Sequence, residues 1–280
     1  MLPWIIGVGI VVVVLYLLDR ELYFYEGAHL GPRVQGWLYD RWAAKYDAGK
    51  HASQQQDAEV LARPMIEKLA AGQPHMPAVL LLDVATGTGR LPAVLLADPA
   101  FTGQIIALDL SREMLVRAAE KLAPFPDRVT LLRHSALTLP FPDHSFDAVS
   151  CMEALELMPN METPLAELAR VLRPGGILLT TRGTEASGRV NKIVAADRFA
   201  ALLQAAGFEQ IEIIPWWKNF DRVWARKPGT FAPAGARPIT EVLRCPSCGQ
   251  VALIQLPDRK LRCAQCESEL PVTQEGIILG

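Results

Sequence analysis

The stretch that most constrains this chain is Leu80-Leu81-Leu82-Asp83-Val84-Ala85-Thr86-Gly87-Thr88-Gly89-Arg90. A hydrophobic run enters a Gly-x-Gly turn, and the turn opens a helix. Glycines let the backbone approach a ligand closely, and the first amides of a helix are free to donate hydrogen bonds. Pro92 stands three residues after Gly89, where a dinucleotide fingerprint carries its third glycine. That disfavours a pyrophosphate-binding NAD or FAD site. Asp83 precedes the glycines, and Asp109 ends the next hydrophobic run about twenty residues after the turn, where a carboxylate can accept hydrogen bonds from ribose hydroxyls.

Apolar runs and helical patterns alternate around this turn. Strands are expected at 79–84, 104–108, 129–133, 146–151 and 177–181, with helices running from the turn to Leu96, over 111–122 and over 164–172. A helix at 195–206, stopped by Gly207, leads to two last strands at 211–215 and 222–226. An amphipathic helix at 55–71 precedes the first strand, since Val60, Leu61, Met65, Ile66 and Leu69 recur at helical spacing. This alternation predicts an α/β fold with a parallel sheet covered by helices on both faces.

The motifs together resemble the class I S-adenosylmethionine-dependent methyltransferases. The turn with Asp83, Gly87 and Gly89, Asp109 in Ala-Leu-Asp-Leu-Ser, the run Leu139-Pro140-Phe141-Pro142-Asp143-His144-Ser145-Phe146-Asp147 and Leu172-Arg173-Pro174-Gly175-Gly176 come in that family's order, over residues 37–227. The branch most resembled contains the ubiquinone and menaquinone biosynthesis methyltransferases. Tyr39-Asp40-Arg41-Trp42-Ala43-Ala44-Lys45-Tyr46-Asp47 is similar to that branch's lead-in, in which a Tyr covers the cofactor. The resemblance implies a Rossmann-like, seven-stranded, mostly parallel sheet in the order 3-2-1-4-5-7-6 with the last strand antiparallel. It also implies S-adenosylmethionine held by Tyr46, Asp83, Ala85, Gly87, Gly89, Asp109, Leu110, Ser135, Ala136 and Cys151. Ser135 is a departure, because the branch usually has an Asp there to bind the adenine amino group; a hydroxyl can accept that bond but carries no charge.

The implied reaction is in-line displacement of a methyl group from a sulfonium. The leaving group is a neutral thioether, so alignment and exclusion of water carry the catalysis, and a base is needed only for an acceptor that must lose a proton. Ligands bind at the carboxyl ends of such strands. Glu153 and Glu156, just past the fourth strand, lie one helical turn apart and are the candidate catalytic or acceptor-orienting pair; two solvated helix carboxylates are the other reading. Residues 180–192 are expected to line the acceptor pocket. His144 reads as a turn residue, and Cys151 as a small apolar one at the cofactor face.

Residues 2–18 form an unbroken apolar or aromatic run without charge, close to the minimum for a bilayer crossing. No basic segment precedes it and no small-residue cleavage site follows, unlike a signal peptide. Trp4, Tyr16, Tyr23, Phe24 and Tyr25 suit interfacial positions. Arg20, Arg33, Arg41, Lys45 and Lys50 follow the run, so a single-pass transmembrane anchor with the catalytic domain in the cytoplasm, at the cell membrane, is expected. A buried helix or an uncleaved leader are the alternatives.

Four of the five cysteines form two Cys-x-x-Cys pairs, Cys245/Cys248 and Cys263/Cys266, around a short hairpin. The spacing suits a zinc ribbon in a reducing compartment, and with four thiolates no coordination position stays open for catalysis. Residues 243–279 resemble small zinc-ribbon proteins that act as methyltransferase activators. The expected organisation is an anchor over 1–20, a juxtamembrane lead-in over 21–50, the S-adenosylmethionine-binding domain over 51–227, a Pro/Gly/Ala-rich linker over 228–240 and the ribbon over 241–280.

The formal net charge of -2 argues against broad binding to nucleic acid. The leading expectation is an enzyme that methylates a small, lipid-soluble acceptor. The alternatives are methylation of a protein or RNA presented by the ribbon, or an adaptor that keeps the fold without catalysis; a protein partner could engage the ribbon.

Overall fold

A computed structural model describes residues 2–27, 29–73, 75–187, 193–257 and 260–280. The apolar N-terminal run forms helix α1 (Leu2–Asp19), which passes through a π-turn at Arg20–Phe24. Gly31 and Pro32 then start α2 (Pro32–Gln54), with proline at the position where its missing N–H costs nothing. After a second π-turn, at Ala58–Ala62, comes α3 (Arg63–Ala70). The α/β core follows as β1 (Leu80–Val84), α4 (Arg90–Ala97), β2 (Gln104–Asp109), α5 (Arg112–Leu122), β3 (Val129–Arg133) and β4 (Phe146–Cys151). It continues through α6 (Glu162–Val171), β5 (Leu172–Gly183), α7 (Ala196–Ala205), β6 (Glu209–Trp217) and β7 (Phe220–Arg226). The C-terminal ribbon holds β8 (Leu253–Gln255), β9 (Leu261–Cys263), β10 (Glu269–Leu270) and β11 (Ile277–Leu279).

The main sheet has eight strands in the order β11-β3-β2-β1-β4-β5-β7-β6. The expected order lies within it, with β7 antiparallel to both β5 and β6. Alternation in β1 sends Leu80, Leu82 and Val84 into one core, with α6, α7 and the ribbon, while Leu81 enters the other, with α3, α4 and α5. Burial on both sides explains why these strands read as continuous apolar runs.

The eighth strand was not expected. β11, at the end of the ribbon, runs parallel to β3 and covers the edge of the main sheet. Val242, Leu243, Cys245, Leu253, Leu261, Cys263 and Leu270 belong to the same core as β1 and β4, so the ribbon is packed into the domain.

Two expectations are corrected. Among the described residues no helix is long and apolar enough to cross a membrane. Helix α1 is 18 residues long and ends on Asp19, with Arg20 and Glu21 directly after it. The transmembrane anchor over 1–20 is therefore replaced by an apolar helix whose large side chains from Trp4 to Leu18 lie exposed. The amphipathic helix expected over 55–71 is divided into the π-turn and α3, with Leu61, Met65, Ile66 and Leu69 buried as its periodicity implied.

Candidate functional site

The turn after β1 is built from three left-handed residues, Ala85 (φ 55°), Gly87 (φ 56°) and Gly89 (φ 77°). A Cβ on Gly87 would meet nothing within 4 Å, whereas one on Gly89 would come 3.0 Å from Leu122. Gly87 thus leaves open space over the turn, and Gly89 lets the turn pack on α5. Asp83 is buried beneath, where its carboxylate accepts hydrogen bonds from Thr86 Oγ1 and Ser150 Oγ, both at 2.6 Å. Burial pushes it up to about 6 although both hydroxyls favour the anion. Asp83 therefore stitches β1, the turn and β4 together from below the cavity.

Asp109 lines the cavity. Its Oδ2 accepts the Gly87 N–H and its Oδ1 the Ser111 N–H, each at 2.8 Å. Burial raises it to about 6, against the pull of these amides. Ala85, Gly87, Leu110, Ser135 and Ala136 share the cavity with it, and His134, Leu137, Met152 and Leu157 complete apolar or mixed walls. Ser135 Oγ accepts from the Leu137 N–H at 3.2 Å. An acid for hydroxyl groups, open space over a glycine turn and a mostly apolar slot form a donor and shape set that fits a nucleoside such as that of S-adenosylmethionine.

Helix α2 roofs this cavity with Gln35, Gly36, Tyr39 and Tyr46. Polar bonds fasten it down. Gln35 Nε2 donates to Leu157 O at 3.1 Å, Asp40 accepts from Ser111 Oγ at 2.6 Å and Glu113 N at 3.0 Å, and Asp47 accepts from Thr88 Oγ1 at 2.6 Å and pairs with Lys121 at 2.7 Å. Burial pushes the Tyr39 and Tyr46 phenols well up, so both stay neutral hydroxyls.

A second pocket adjoins the first and shares Tyr39, Tyr46 and Glu153 with it. Tyr23, Trp42 and Phe220 add aromatic walls, and Lys50, Ser187 and Asn219 add polar groups. Tyr23 lies in the turn that directly follows α1. Tyr39 Oη donates to Glu26 at the rim. Residues 180–187 fall partly on β5 and lead toward this pocket, while 188–192 of the expected acceptor segment lie outside the described residues.

An ionic chain leads from Lys50 in the second pocket, through Glu153, which lines both, to Arg90 and Asp57. Lys50 Nζ donates to Glu153 Oε2 at 2.5 Å, Arg90 Nη1 to Glu153 Oε1 at 2.8 Å, and Arg90 binds Asp57 through Nε at 2.6 Å and Nη2 at 2.8 Å. The Arg90 guanidinium also sits 4.9 Å from the Trp216 ring centroid. The helical pairing expected of Glu153 and Glu156 is not realised. The chain leaves β4 with Glu153 at φ 52°, and Glu156 falls in a 3-10 turn at Leu155–Leu157 with its side chain buried. Glu153 faces both pockets; Glu156 faces neither. Cys151 is fully buried in the core, below the cavity that its position at the strand end suggested it would line, and burial drives its thiol up. The expected set therefore divides. Tyr46, Ala85, Gly87, Asp109, Leu110, Ser135, Ala136 and Glu153 come together, and Asp83, Gly89, Cys151 and Glu156 support from behind. Sequence reasoning missed Gln35, Lys50, Asp57 and Arg90; the Gly31-Pro32 helix start was the available signal for the roof.

In the ribbon Cys245, Cys248, Cys263 and Cys266 converge, all four Sγ atoms within 4.8 Å of one another. Sγ separations of 3.6 Å for Cys245/Cys266 and Cys248/Cys263 match the roughly 3.8 Å edge of a tetrahedron with metal–sulfur bonds of about 2.3 Å. Both knuckles turn through a left-handed residue after their second cysteine, Gly249 (φ 73°) and Glu267 (φ 61°). Burial opposes ionisation of Cys245, but Ser268 and the amides of Cys248 and Ser247 outweigh it and lower the thiol to about 6.

The family described as Methyltransferase domain matches residues 82–180, from β1 into β5. A demethylmenaquinone methyltransferase of Symbiobacterium thermophilum is 33% identical over 142 residues, covering 50% of this chain and 55% of that protein. One from Desulfitobacterium hafniense is 40% identical over 80 residues, covering 28% and 32%. The chain thus spans about half, or less, of the length of these curated relatives. Among solved structures, the CurJ carbon methyltransferase aligns with a TM-score of 0.53 at 16% identity, covering 77% of this chain and 66% of that one, a likeness of fold alone.

Proposed function

We propose that the protein, whose residues 82–180 match the methyltransferase-domain family, is a class I S-adenosylmethionine-dependent enzyme that transfers a methyl group to a small, lipid-soluble acceptor at the cytoplasmic face of the cell membrane. The observation that carries this reading is the pair of adjoining pockets that share Tyr39, Tyr46 and Glu153. The first offers the nucleoside-compatible groups, and the second offers aromatic walls that reach Tyr23 at the end of the exposed apolar helix. When bound, S-adenosylmethionine supplies an electrophilic methyl group. Asp109 would accept from its hydroxyls, and the α2 roof would exclude water from the junction of the pockets. Glu153, held between Lys50 and Arg90, orients the acceptor's polar group there. A quinone precursor is the favoured acceptor class, in keeping with relatives named as demethylmenaquinone methyltransferases.

The exposed side chains of α1 supply membrane attachment short of a span. The thiolate cluster holds structural zinc, and free cysteine pairs of this kind belong in a reducing compartment. Calorimetric titration of S-adenosylmethionine into the zinc-loaded full chain tests the reading. Saturable one-to-one binding that Asp109→Ala abolishes is expected, and no binding would mark an adaptor that keeps only the fold.

A further inference from the structure

The outer face of α2 carries Arg33, Trp37, Arg41 and Lys45 at successive spacings of four residues. Four residues advance about 40° around a helix, so the set lies within an arc of roughly 120°. All four side chains are exposed, Trp37 by 56%. The Arg41 guanidinium lies 6.0 Å from the Trp37 ring centroid. The two acids of this helix flank the set, roughly 20–40° beyond Arg33 by the same advance, and both are engaged: Asp40 accepts from Ser111 and Glu113, and Asp47 pairs with Lys121. Among the described residues the ion pairs of α2 are those of Asp47 and Lys50, and none engages Arg33, Arg41 or Lys45. A cationic stripe that includes an aromatic ring thus sits on a chain whose formal net charge is -2.

We propose that this face is a docking surface for anionic phospholipid headgroups. Guanidinium and ammonium groups suit lipid phosphates, and an exposed Trp suits the headgroup level of a bilayer. Continuity strengthens the assignment. The exposed apolar helix α1 immediately precedes α2, and the turn between them folds back on it. The Tyr23 and Trp42 rings lie 6.3 Å apart, and Tyr39 donates to Glu26. Tyr23 and Trp42 also wall the second pocket, so the segment that joins α1 to α2 borders the acceptor site. The inference rests on the membrane reading above and adds lipid charge selectivity to it.

The test is sedimentation of the full chain with phosphatidylcholine vesicles and with mixed phosphatidylcholine–phosphatidylglycerol vesicles. The variant Arg33→Gln/Arg41→Gln/Lys45→Gln is predicted to lose on the order of 100-fold in partitioning onto the anionic vesicles. Its binding to neutral vesicles, which α1 supplies, should stay unchanged, as should S-adenosylmethionine binding. Raising salt should erase the difference between vesicle types for the parent chain as the screening length shrinks. Loss of neutral-vesicle binding alone sinks attachment by α1 and leaves the cationic face standing. Equal partitioning of parent and variant onto anionic vesicles overturns the proposal, and so does tighter charge-dependent binding to an RNA oligomer than to those vesicles.

Discussion

Replacing Ile277 or Ile278 with alanine tests whether the ribbon is part of the domain or a bead attached to it. In β11, Ile277 lies opposite Leu131 and Ile278 opposite Leu132. The two side chains are 0% and 4% exposed and enter opposite cores of the main sheet. Truncating a core isoleucine to alanine costs about 2–5 kcal/mol. A three-residue edge strand can relax, so about 2–3 kcal/mol per site is the expected loss. For a domain of this size 1 kcal/mol moves the midpoint by roughly 2–4 °C, so each variant should melt roughly 5–10 °C lower. Scanning calorimetry should show the domain's own transition moving. S-adenosylmethionine affinity should fall as well, because β3 leads directly into the cavity wall at His134 and Ser135. Ile254→Ala, on the exposed side of β8, should change stability by less than about 0.5 kcal/mol. An unmoved main transition with full cofactor affinity in both β11 variants would refute the shared-core reasoning.

Other consequences follow from buried charge and backbone strain. Asp83 and Asp109 keep their protons up to about 6 in the fold, against an unfolded value of about 3.9. Folding therefore favours their protonated forms. Their contribution to ligand-free stability is full below about pH 4 and is lost, about 3 kcal/mol each, as pH rises through 6; urea unfolding of Asp83→Asn should show a flatter slope over that window. Cofactor affinity has the opposite sign, since hydroxyls need an ionised Asp109, and titration calorimetry should find it falling about tenfold per pH unit below about 6. Arg90→Ala leaves the Asp57 carboxylate, 1% exposed, buried without its guanidinium and should cost about 3–5 kcal/mol in denaturant unfolding. Arg90→Lys should recover little of that, because an ammonium cannot reproduce the two-pronged bond. Glu267→Gly relieves a left-handed non-glycine residue and should raise the stability of the metal-loaded chain by about 1 kcal/mol, read as a higher thermal midpoint.

The parts of this fold that were legible are those with local causes. β1 and β4 are buried on both faces, so Leu80–Val84 and Phe146–Cys151 read as apolar runs, and the four cysteines announce their site by spacing alone. The role of Tyr46 is legible from the lead-in motif, but the helical form of Pro32–Gln54 is not, because Asp40, Asp47 and Lys50 fasten the helix as well as aromatics, which dilutes its apolar periodicity. β11 is three residues long and pairs with a strand far away in the chain, and no local pattern specifies such a partner. Glu153 and Glu156 carry helical spacing without forming a helical pair, because spacing holds no information about a left-handed residue at a strand end. Asp83 and Asp109 look equivalent in sequence, yet the first binds Thr86 and Ser150 inside the fold while only the second lines the cavity.

The most direct test of the account incubates the zinc-loaded full chain with methyl-labelled S-adenosylmethionine and the lipid extract of a strain lacking the protein. Label should enter the organic phase as a single species, and Asp109→Ala should abolish its appearance. Label recovered in protein or RNA, with none in the lipid, would contradict the account.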